Sequence, residues 1–202
     1  MLSQLIFLPG AMGRTEQWHP ISTQLAHLGE RIYFGWPGFG STPADPLVSG
    51  IDDLVRLVVA RINKPTALLA QSMGGVVAIR AALEKPALIT HLVLAVTSGG
   101  VDVRGLGGSD WRPAFRQANP HLPDWFSSDQ DDLSDRLAEL TMPVLLLWGD
   151  SDPISPVSVG RRLAELFPQA ELHVISAGDH DLLETHVAIL APIINAHLSG
   201  KD

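Results

Sequence analysis

Short apolar runs alternate along the chain with longer segments in which apolar positions recur every three or four residues. The short runs have the character of strands buried on both faces, and they occupy residues 5–8, 31–34, 67–70, 91–96, 144–148 and 172–175. The periodic segments predict helices at residues 15–28, 51–62, 76–83, 133–140, 157–167 and 182–198. This alternation predicts an α/β fold: a single domain over residues 1–202 with a mostly parallel central sheet and helices on both faces.

The alternation breaks in residues 99–132. This segment has a glycine-rich stretch at residues 105–109, followed by prolines and arginines mixed with four large aromatic residues, Trp111, Phe115, Trp125 and Phe126. We expect it to form a short lid over the edge of the sheet, with the aromatic side chains in contact with a substrate. The alternative is a surface loop or a set of short helices that serves only the core, although structureless loops of this length are uncommon.

Charge and composition narrow the class of protein. The net charge of -8 makes nucleic acid and anionic membrane surfaces poor partners, and the absence of cysteine excludes disulfides and a cysteine nucleophile. The amino terminus has no basic residue before its first apolar run, and the longest later run, residues 187–194, is too short to span a membrane. We therefore expect a cytoplasmic protein that binds a small molecule. The sequence leaves its oligomeric state open.

Residues 66–82 pass from a predicted strand into an alanine-rich helix within a few residues. Such a sharp turn strains the backbone of the residue at its apex, here Ser72, and requires small neighbours so that strand and helix can pass closely. Ala70 and Gly74, two residues before and after Ser72, are both small. The pattern is typical of a nucleophile elbow, which exposes a serine hydroxyl at the carboxyl end of a strand. The alternative is that Ser72 only caps the helix.

Further reactive side chains follow the later strands. Asp150 and Asp152 come directly after the fifth strand, and His180 comes after the sixth. Because ligands of an open parallel sheet bind outside the carboxyl ends of its strands, we expect these groups to share one rim with Ser72. A serine hydroxyl needs a histidine to accept its proton during attack, and a carboxylate orients that histidine. The sequence therefore predicts chemistry that depends on a serine.

These motifs resemble those of the α/β-hydrolase superfamily over nearly the whole chain, and most weakly in residues 99–132. The Gly-x-Ser-x-Gly elbow of that family is matched by residues 70–74, with alanine in the first position. Its Pro-Gly-x-Gly-x-Ser stretch resembles the loop at residues 35–43, and its Gly-x-x-Asp acid motif resembles residues 149–153. The resemblance implies a hydrolase fold with a serine-dependent active site.

The resemblance also implies roles for individual residues. It implies a catalytic triad of serine, histidine and aspartate, namely Ser72, His180 and Asp152. Asp150 is the alternative acid. The resemblance further implies that two backbone N–H groups, those of Ala11 and Met73, form the oxyanion hole, with Met12 as the reserve donor. Preset donors of this kind stabilise the tetrahedral oxyanion.

Three features depart from the family pattern. Pro9 precedes Gly10 where the family usually has histidine, which could change the shape of the first loop. In strict register, Asp179 would take the place of the catalytic histidine. We expect instead a loop shift of one residue that presents His180, because neither Asp179 nor Asp181 can replace the base. Finally, the chain begins at what would be the third strand of the family, so we expect a reduced sheet of about six parallel strands.

The leading hypothesis is a serine esterase that acts on a small, largely apolar ester through an acyl-enzyme. Met12 and the four aromatic residues of the lid are expected to contact the substrate. Alternatively, the substrate carries a carboxylate that an arginine of the lid binds through a bidentate contact. The lid has three arginines, Arg104, Arg112 and Arg116. The alternatives are a lyase or carbon–carbon bond hydrolase with the same triad, and a ligand-binding protein, which the displaced His180 would suit. No cofactor and no metal site is predicted.

Overall fold

The computed structural model describes residues 2–123, 125 and 132–200. Within these residues six strands form one sheet, with every neighbouring pair parallel, in the order β2-β1-β3-β4-β5-β6. The strands are β1 Gln4–Leu8, β2 Glu30–Tyr33, β3 Thr66–Gln71, β4 Ile89–Ala95, β5 Val144–Gly149 and β6 Ala170–Ile175. The predicted α/β fold with a reduced parallel sheet is confirmed.

Helices cover both faces of the sheet. They are α1 His19–Ser22, α2 Ile51–Arg61, α3 Met73–Glu84, α4 Arg112–Ala118, α5 Val157–Leu166, α6 Leu182–Thr185 and α7 Val187–Ser199. Two 3₁₀ turns, Thr15–Trp18 and Ser134–Glu139, stand where longer α-helices were expected. The closing helix is also divided, because α6 ends before His186 and α7 begins after it. In the described part of the chain, no helix has both the length and the apolar character needed to cross a bilayer.

The helix predicted at residues 15–28 is wrong beyond α1, and the reason is a contact from the strand that follows this segment, β2. The guanidinium of Arg31 on β2 donates hydrogen bonds of 2.7, 2.9 and 3.0 Å to three carbonyl oxygens, those of Ser22, Leu25 and His27. These carbonyls therefore have partners without a helix. Leu28, whose apolar character suggested a longer helix, is 98% exposed.

Separate hydrophobic cores lie on the two faces of the sheet. Ile6 and Leu8 of β1 pack with α2, α3 and α5, whereas Leu5 and Phe7 pack with α1 and α7. Successive side chains of a strand point to opposite faces, so this alternation assigns each β1 residue to one core. All four are buried, as expected for a central strand of a parallel sheet.

Successive strands are added to one side of β1 first and then to the other side. From β1 the chain crosses to β2 on one side, and after α2 it returns to β3 on the other side. β1 and β3 pair in register as far as Leu8 opposite Ala70, so the loops after these strands begin side by side. Ligands of open α/β sheets bind at such a switch point. The topology thus predicts a ligand site at residues 9–12 and 72–75.

A pair of histidine rings packs at the other end of the sheet. His91 at the start of β4 and His197 near the end of α7 meet edge to face, with ring centroids 5.2 Å apart. Burial, together with the neighbouring His91, lowers the pKa of His197 to about 4. Burial also lowers the pKa of His91. Both rings are therefore neutral in the folded protein at neutral pH.

We expect the free energy of unfolding to fall as the pH drops from 6.5 towards 4. Over this window the unfolded state binds a proton at His197 that the folded state does not, so stability is full above the unfolded pKa and is lost below it. For one group the slope is at most about 1.4 kcal/mol per pH unit. A His197→Gln variant should show a shallower slope in urea denaturation at the two ends of the window. An unchanged slope would assign the acid sensitivity to other groups.

Candidate active site

The backbone of Ser72 is strained at the junction of β3 and α3. Its φ is 53°, in the left-handed region that residues with side chains rarely adopt. A Cβ added at Gly74 would lie 2.5 Å from the carbonyl oxygen of Pro9. One added at Gly75 would lie 2.3 Å from Oγ1 of Thr97. The two glycines therefore let the turn pass directly against the ends of β1 and β4.

Ser72, His180 and Asp152 form one chain of hydrogen bonds. Nε2 of His180 lies 2.9 Å from Oγ of Ser72, and Nδ1 of His180 lies 2.8 Å from Oδ2 of Asp152. Because an ionised carboxylate can only accept, the ring proton belongs on Nδ1, and Nε2 accepts from the serine hydroxyl. The structure thus brings together the three side chains predicted as a triad, although they are far apart in sequence.

Asp152 is anchored by its other oxygen. The carboxylate Oδ1 accepts hydrogen bonds from the backbone N–H groups of Ile154 at 2.8 Å and Ser155 at 3.1 Å. The side chain is fully buried, while that of His180 is 22% exposed. A buried carboxylate is tolerated when its oxygens are satisfied in this way. The carboxylate of Asp152 is therefore held by hydrogen bonds at both oxygens, and the imidazole of His180 stays partly exposed.

Asp150, the alternative acid, has a different role in the structure. Its Oδ1 accepts hydrogen bonds from the hydroxyl of Ser151 at 2.9 Å and from the N–H of Ala177 at 2.8 Å. It is exposed, and its hydrogen bonds hold the loop after β5 against the loop after β6. The geometry therefore favours Asp152 over Asp150 as the partner of His180.

The loop that carries His180 is packed tightly against the loop of Asp152. An added Cβ at Gly149 would lie 2.2 Å from the carbonyl oxygen of Gly178, so the two backbones touch. Ala177 has a φ of 56°, and the side chain of Asp179 turns back to accept from the N–H of Asp181. This path presents the imidazole of His180, in the position that a shift of one residue predicts.

The first loop lies beside Ser72 despite Pro9. An added Cβ at Gly10 would lie 3.4 Å from Cβ of Ser72, so the loop that contains Ala11 passes close to Ser72. Among the described residues, the N–H groups of Ala11 and Met73 donate no hydrogen bond to another protein group. Both remain available to a ligand. Met12, the reserve donor, is 42% exposed.

A cavity of about 380 Å³ opens over Ser72 and His180. Its wall includes several apolar side chains, among them Ile51, Val76, Val101, Val103, Trp111 and Ile154. Residues of the segment 99–132 therefore form one side of the cavity, as expected for a lid. A lid role in catalysis stays a prediction.

Of the residues predicted to contact substrate, Trp111 alone among the described ones lies in the cavity wall. Phe115 packs edge to face on Trp111 with ring centroids 5.3 Å apart. Trp125 packs in the same manner on Phe39 at 5.8 Å. These two rings and Met12 lie outside the cavity wall. The prediction for Phe126 falls outside the described residues.

Two arginines of the segment 99–132 reach the cavity. Arg104 and Arg112 both line it, and both form ion pairs with the carboxylate of Asp110. The guanidinium carbon of Arg112 also lies 5.4 Å from the ring centroid of Trp111. Two positive charges are thus present at the wall, and the negative charge of Asp110 offsets part of them.

Four buried polar or aromatic side chains that the sequence analysis passed over support the site. Gln71 donates through Nε2 to the carbonyl oxygen of His180 at 3.0 Å, and Ser155 donates through Oγ to the carbonyl of Thr97 at 3.0 Å. Thr97 and Trp36 donate to the backbone carbonyls of Ser72 and Gly10. The position of Thr97 two residues after β4 was the one available signal, since residues at strand ends share the rim.

Comparison with known proteins agrees with this geometry. A model described as "Alpha/beta hydrolase family" matches residues 5–105, half of the chain. The chain belongs to the alpha/beta hydrolase family. A second model, "alpha/beta hydrolase fold", matches residues 114–187 of this hydrolase. The superfamily and the α/β-hydrolase type of enzyme predicted from the motifs are therefore confirmed, whereas the roles of individual residues stay predictions.

The hydrolase is similar to curated proteins and solved structures at low identity. It is 24% identical over 255 residues to a biotin biosynthesis bifunctional protein BioHC of Teredinibacter turnerae, covering 97% of this chain but only 44% of that protein. It is 21% identical to a pimeloyl-(acyl-carrier protein) methyl ester esterase of Legionella pneumophila, covering 88% and 87% of the two chains. A thermophilic esterase from Thermogutta terrifontis superposes with a TM-score of 0.77 at 20% identity, covering 98% and 90%.

Replacement of Gly74 by alanine should disrupt the elbow. The new Cβ meets the backbone oxygen of Pro9, which cannot move without displacing β1. We expect a loss of about 1–3 kcal/mol in the free energy of unfolding, measured by urea denaturation. Gly50, which has no atom within 4 Å of an added Cβ, provides the matched control. Equal losses for Gly74→Ala and Gly50→Ala would contradict the close approach.

Proposed function

We propose that this α/β hydrolase is a serine esterase that cleaves a small, largely apolar ester through an acyl-enzyme. The observation that carries the proposal is the hydrogen-bonded chain from Ser72 through His180 to the buried Asp152, at the floor of the cavity. This arrangement supplies a nucleophile, a proton acceptor and an orienting carboxylate in the geometry that ester cleavage requires.

Acylation begins with attack by the hydroxyl oxygen of Ser72 on the ester carbonyl carbon. As the new bond forms, Nε2 of His180 takes the hydroxyl proton, and Asp152 stabilises the resulting imidazolium. The carbonyl oxygen becomes an oxyanion, which the N–H groups of Ala11 and Met73 stabilise. The carbon–oxygen bond to the alcohol then breaks. His180 returns its proton to the departing alkoxide, so that the alcohol leaves neutral.

Deacylation repeats these steps with water as the nucleophile. His180 removes a proton from water, the hydroxide attacks the acyl carbon, and the same two N–H groups stabilise the second oxyanion. The bond to Ser72 breaks, and the serine oxygen recovers its proton from His180. The products are a carboxylic acid and the free enzyme.

Cavity size and wall chemistry support a small substrate with an apolar acyl group. The apolar part of the wall suits the acyl chain, and the volume of about 380 Å³ lies within the range of small-molecule sites. The Legionella pneumophila relative is named as an esterase of a methyl ester, which supports ester hydrolysis. Arg104 and Arg112 could receive a carboxylate at the far end of the substrate, in exchange for Asp110.

The other hypotheses have less support. A lyase or carbon–carbon bond hydrolase would use the same three side chains, and no feature of the described site selects it. The ligand-binding hypothesis depended on a displaced His180, but the ring lies 2.9 Å from the oxygen of Ser72. A screen of p-nitrophenyl esters against dienoic and succinyl carboxylic acids discriminates between the two enzyme classes.

Replacement of Ser72 by alanine should lower kcat for a p-nitrophenyl ester by about 10⁶-fold. Among the described residues, no other hydroxyl is hydrogen-bonded to the ring of His180. The same variant should lose labelling by a fluorophosphonate. Ser176, an exposed serine at the same rim, supplies the control, since Ser176→Ala leaves the triad intact. Turnover that survives in Ser72→Ala would rule out the acyl-enzyme.

A pair of aspartate variants tests the choice of acid. Asp152→Asn should lower kcat by about 10⁴-fold, because the amide no longer holds the imidazole in the productive tautomer. Asp150→Asn keeps His180 and its partner unchanged and should retain most of kcat, with some loss of stability in the loop after β5. Steady-state kinetics of both variants checks this. The reverse ranking of the two would assign the acid to Asp150.

A further inference from the structure

The peptide group between Ser72 and Met73 is held at its carbonyl end. Its carbonyl oxygen accepts hydrogen bonds from Oγ1 of Thr97 at 2.6 Å and from the N–H of Gly75 at 2.9 Å. A trans peptide is planar, and its C=O and N–H point in opposite directions. The bonds to the carbonyl of Ser72 therefore fix the direction of the N–H of Met73.

The peptide group between Gly10 and Ala11 is held in the same way. Its carbonyl oxygen accepts from the indole Nε1 of Trp36 at 2.9 Å and from the N–H of Gly13 at 3.0 Å. Each peptide thus has one backbone donor from a tight turn and one side-chain donor from a distant element. The N–H ends of these two peptides are the oxyanion donors of the proposed function.

Both side-chain donors are fully buried, and the fold accommodates one of them with backbone strain. Trp36 and Thr97 are each 0% exposed. Val96, the residue before Thr97, has a φ of 42°, which is unfavourable for a β-branched residue. Gly75 leaves the space that Oγ1 of Thr97 occupies. Strain of this kind persists only where the surrounding contacts enforce it.

We propose that Trp36 and Thr97 are positioning residues that preset the oxyanion hole by holding the carbonyl ends of its two peptides. The inference rests on the proposed function and adds the reason why the hole exists before substrate binds. Donors aimed in advance cost no reorganisation when charge develops on the substrate. Hydrogen bonds to the carbonyl also polarise the peptide, which strengthens its N–H as a donor.

Trp18 provides a matched control within the same strand end. Its indole Nε1 donates to the carbonyl oxygen of Leu8 at 3.0 Å, and the side chain is 1% exposed. The peptide after Leu8 ends at Pro9, which has no N–H. Loss of the Trp18 hydrogen bond therefore removes the same kind of buried contact as loss of the Trp36 bond, but it leaves no oxyanion donor misdirected.

The experiment compares Trp36→Phe, Thr97→Val, Thr97→Ser and Trp18→Phe in the full chain. Four quantities are measured: kcat and KM for a p-nitrophenyl ester, Ki for an alkyl trifluoromethyl ketone, and the free energy of unfolding in urea. The ketone forms a tetrahedral adduct with Ser72 whose oxyanion occupies the hole, so its Ki reports the donors directly. Urea denaturation separates loss of folding from loss of orientation.

For Trp36→Phe and Thr97→Val we expect kcat to fall about 10- to 100-fold, less than the 10²–10³ typical of a missing donor. Ki for the ketone should rise by a similar factor, while KM changes little. Thr97→Ser, which keeps the hydroxyl, should restore most of both. Trp18→Phe should lower only the free energy of unfolding. Its kcat and Ki should stay within about twofold of the wild type, since no oxyanion donor changes direction.

The outcomes separate the two proposals. If the wild type cleaves the ester and binds the ketone, but Trp36→Phe and Thr97→Val match Trp18→Phe, the positioning role is wrong and the esterase stands. If the wild type neither cleaves esters nor binds the ketone, the proposed function fails and this inference fails with it. A higher KM together with a lower free energy of unfolding, but an unchanged Ki, would also overturn the positioning role.

Discussion

Backbone segments at the carboxyl edge of the sheet approach more closely than side chains would permit, and the site depends on this contact. Gly74 lies against the end of β1, and Gly149 lies against Gly178. The first contact brings the loop after β1 to Ser72, and the second brings the loop of Asp152 to the loop of His180. Because the strands are parallel, their carboxyl ends meet at one rim, and a few glycines suffice to join four loops there.

Around these contacts, buried hydrogen bonds hold each reactive group from behind. Asp152 is held by two backbone N–H groups, and the loop of His180 is held by the side chain of Gln71. Ser72 has a strained backbone, and its carbonyl oxygen accepts a hydrogen bond from Oγ1 of Thr97. The carbonyl of Thr97 in turn accepts from Ser155, the neighbour of the acid. Rigid support of this kind is what keeps a catalytic group in its productive geometry. The cavity in front of the groups stays free for a ligand.

Strands were easier to predict than helices, and particular residues show why. Continuous apolar runs such as residues 67–70 are buried on both faces, so the pattern alone locates them within one or two residues of the observed strand. The expected helix at residues 15–28 ended early because the guanidinium of Arg31, on another element, donates hydrogen bonds to three of its carbonyl oxygens. Likewise, the aromatic rings of the lid were visible in the sequence, but Trp125 packs on Phe39 instead of facing the cavity.

By itself the sequence determined the α/β alternation and the elbow at Ser72, because both depend on neighbours along the chain: apolar runs, small residues and one tight turn. Only the tertiary structure favours Asp152 over Asp150 as the partner of His180, and the shifted over the strict position of the histidine. Those choices depend on how two loops touch across Gly149 and Gly178, a contact between residues far apart in sequence. The donors that fix the peptides of the proposed oxyanion hole come from other elements for the same reason.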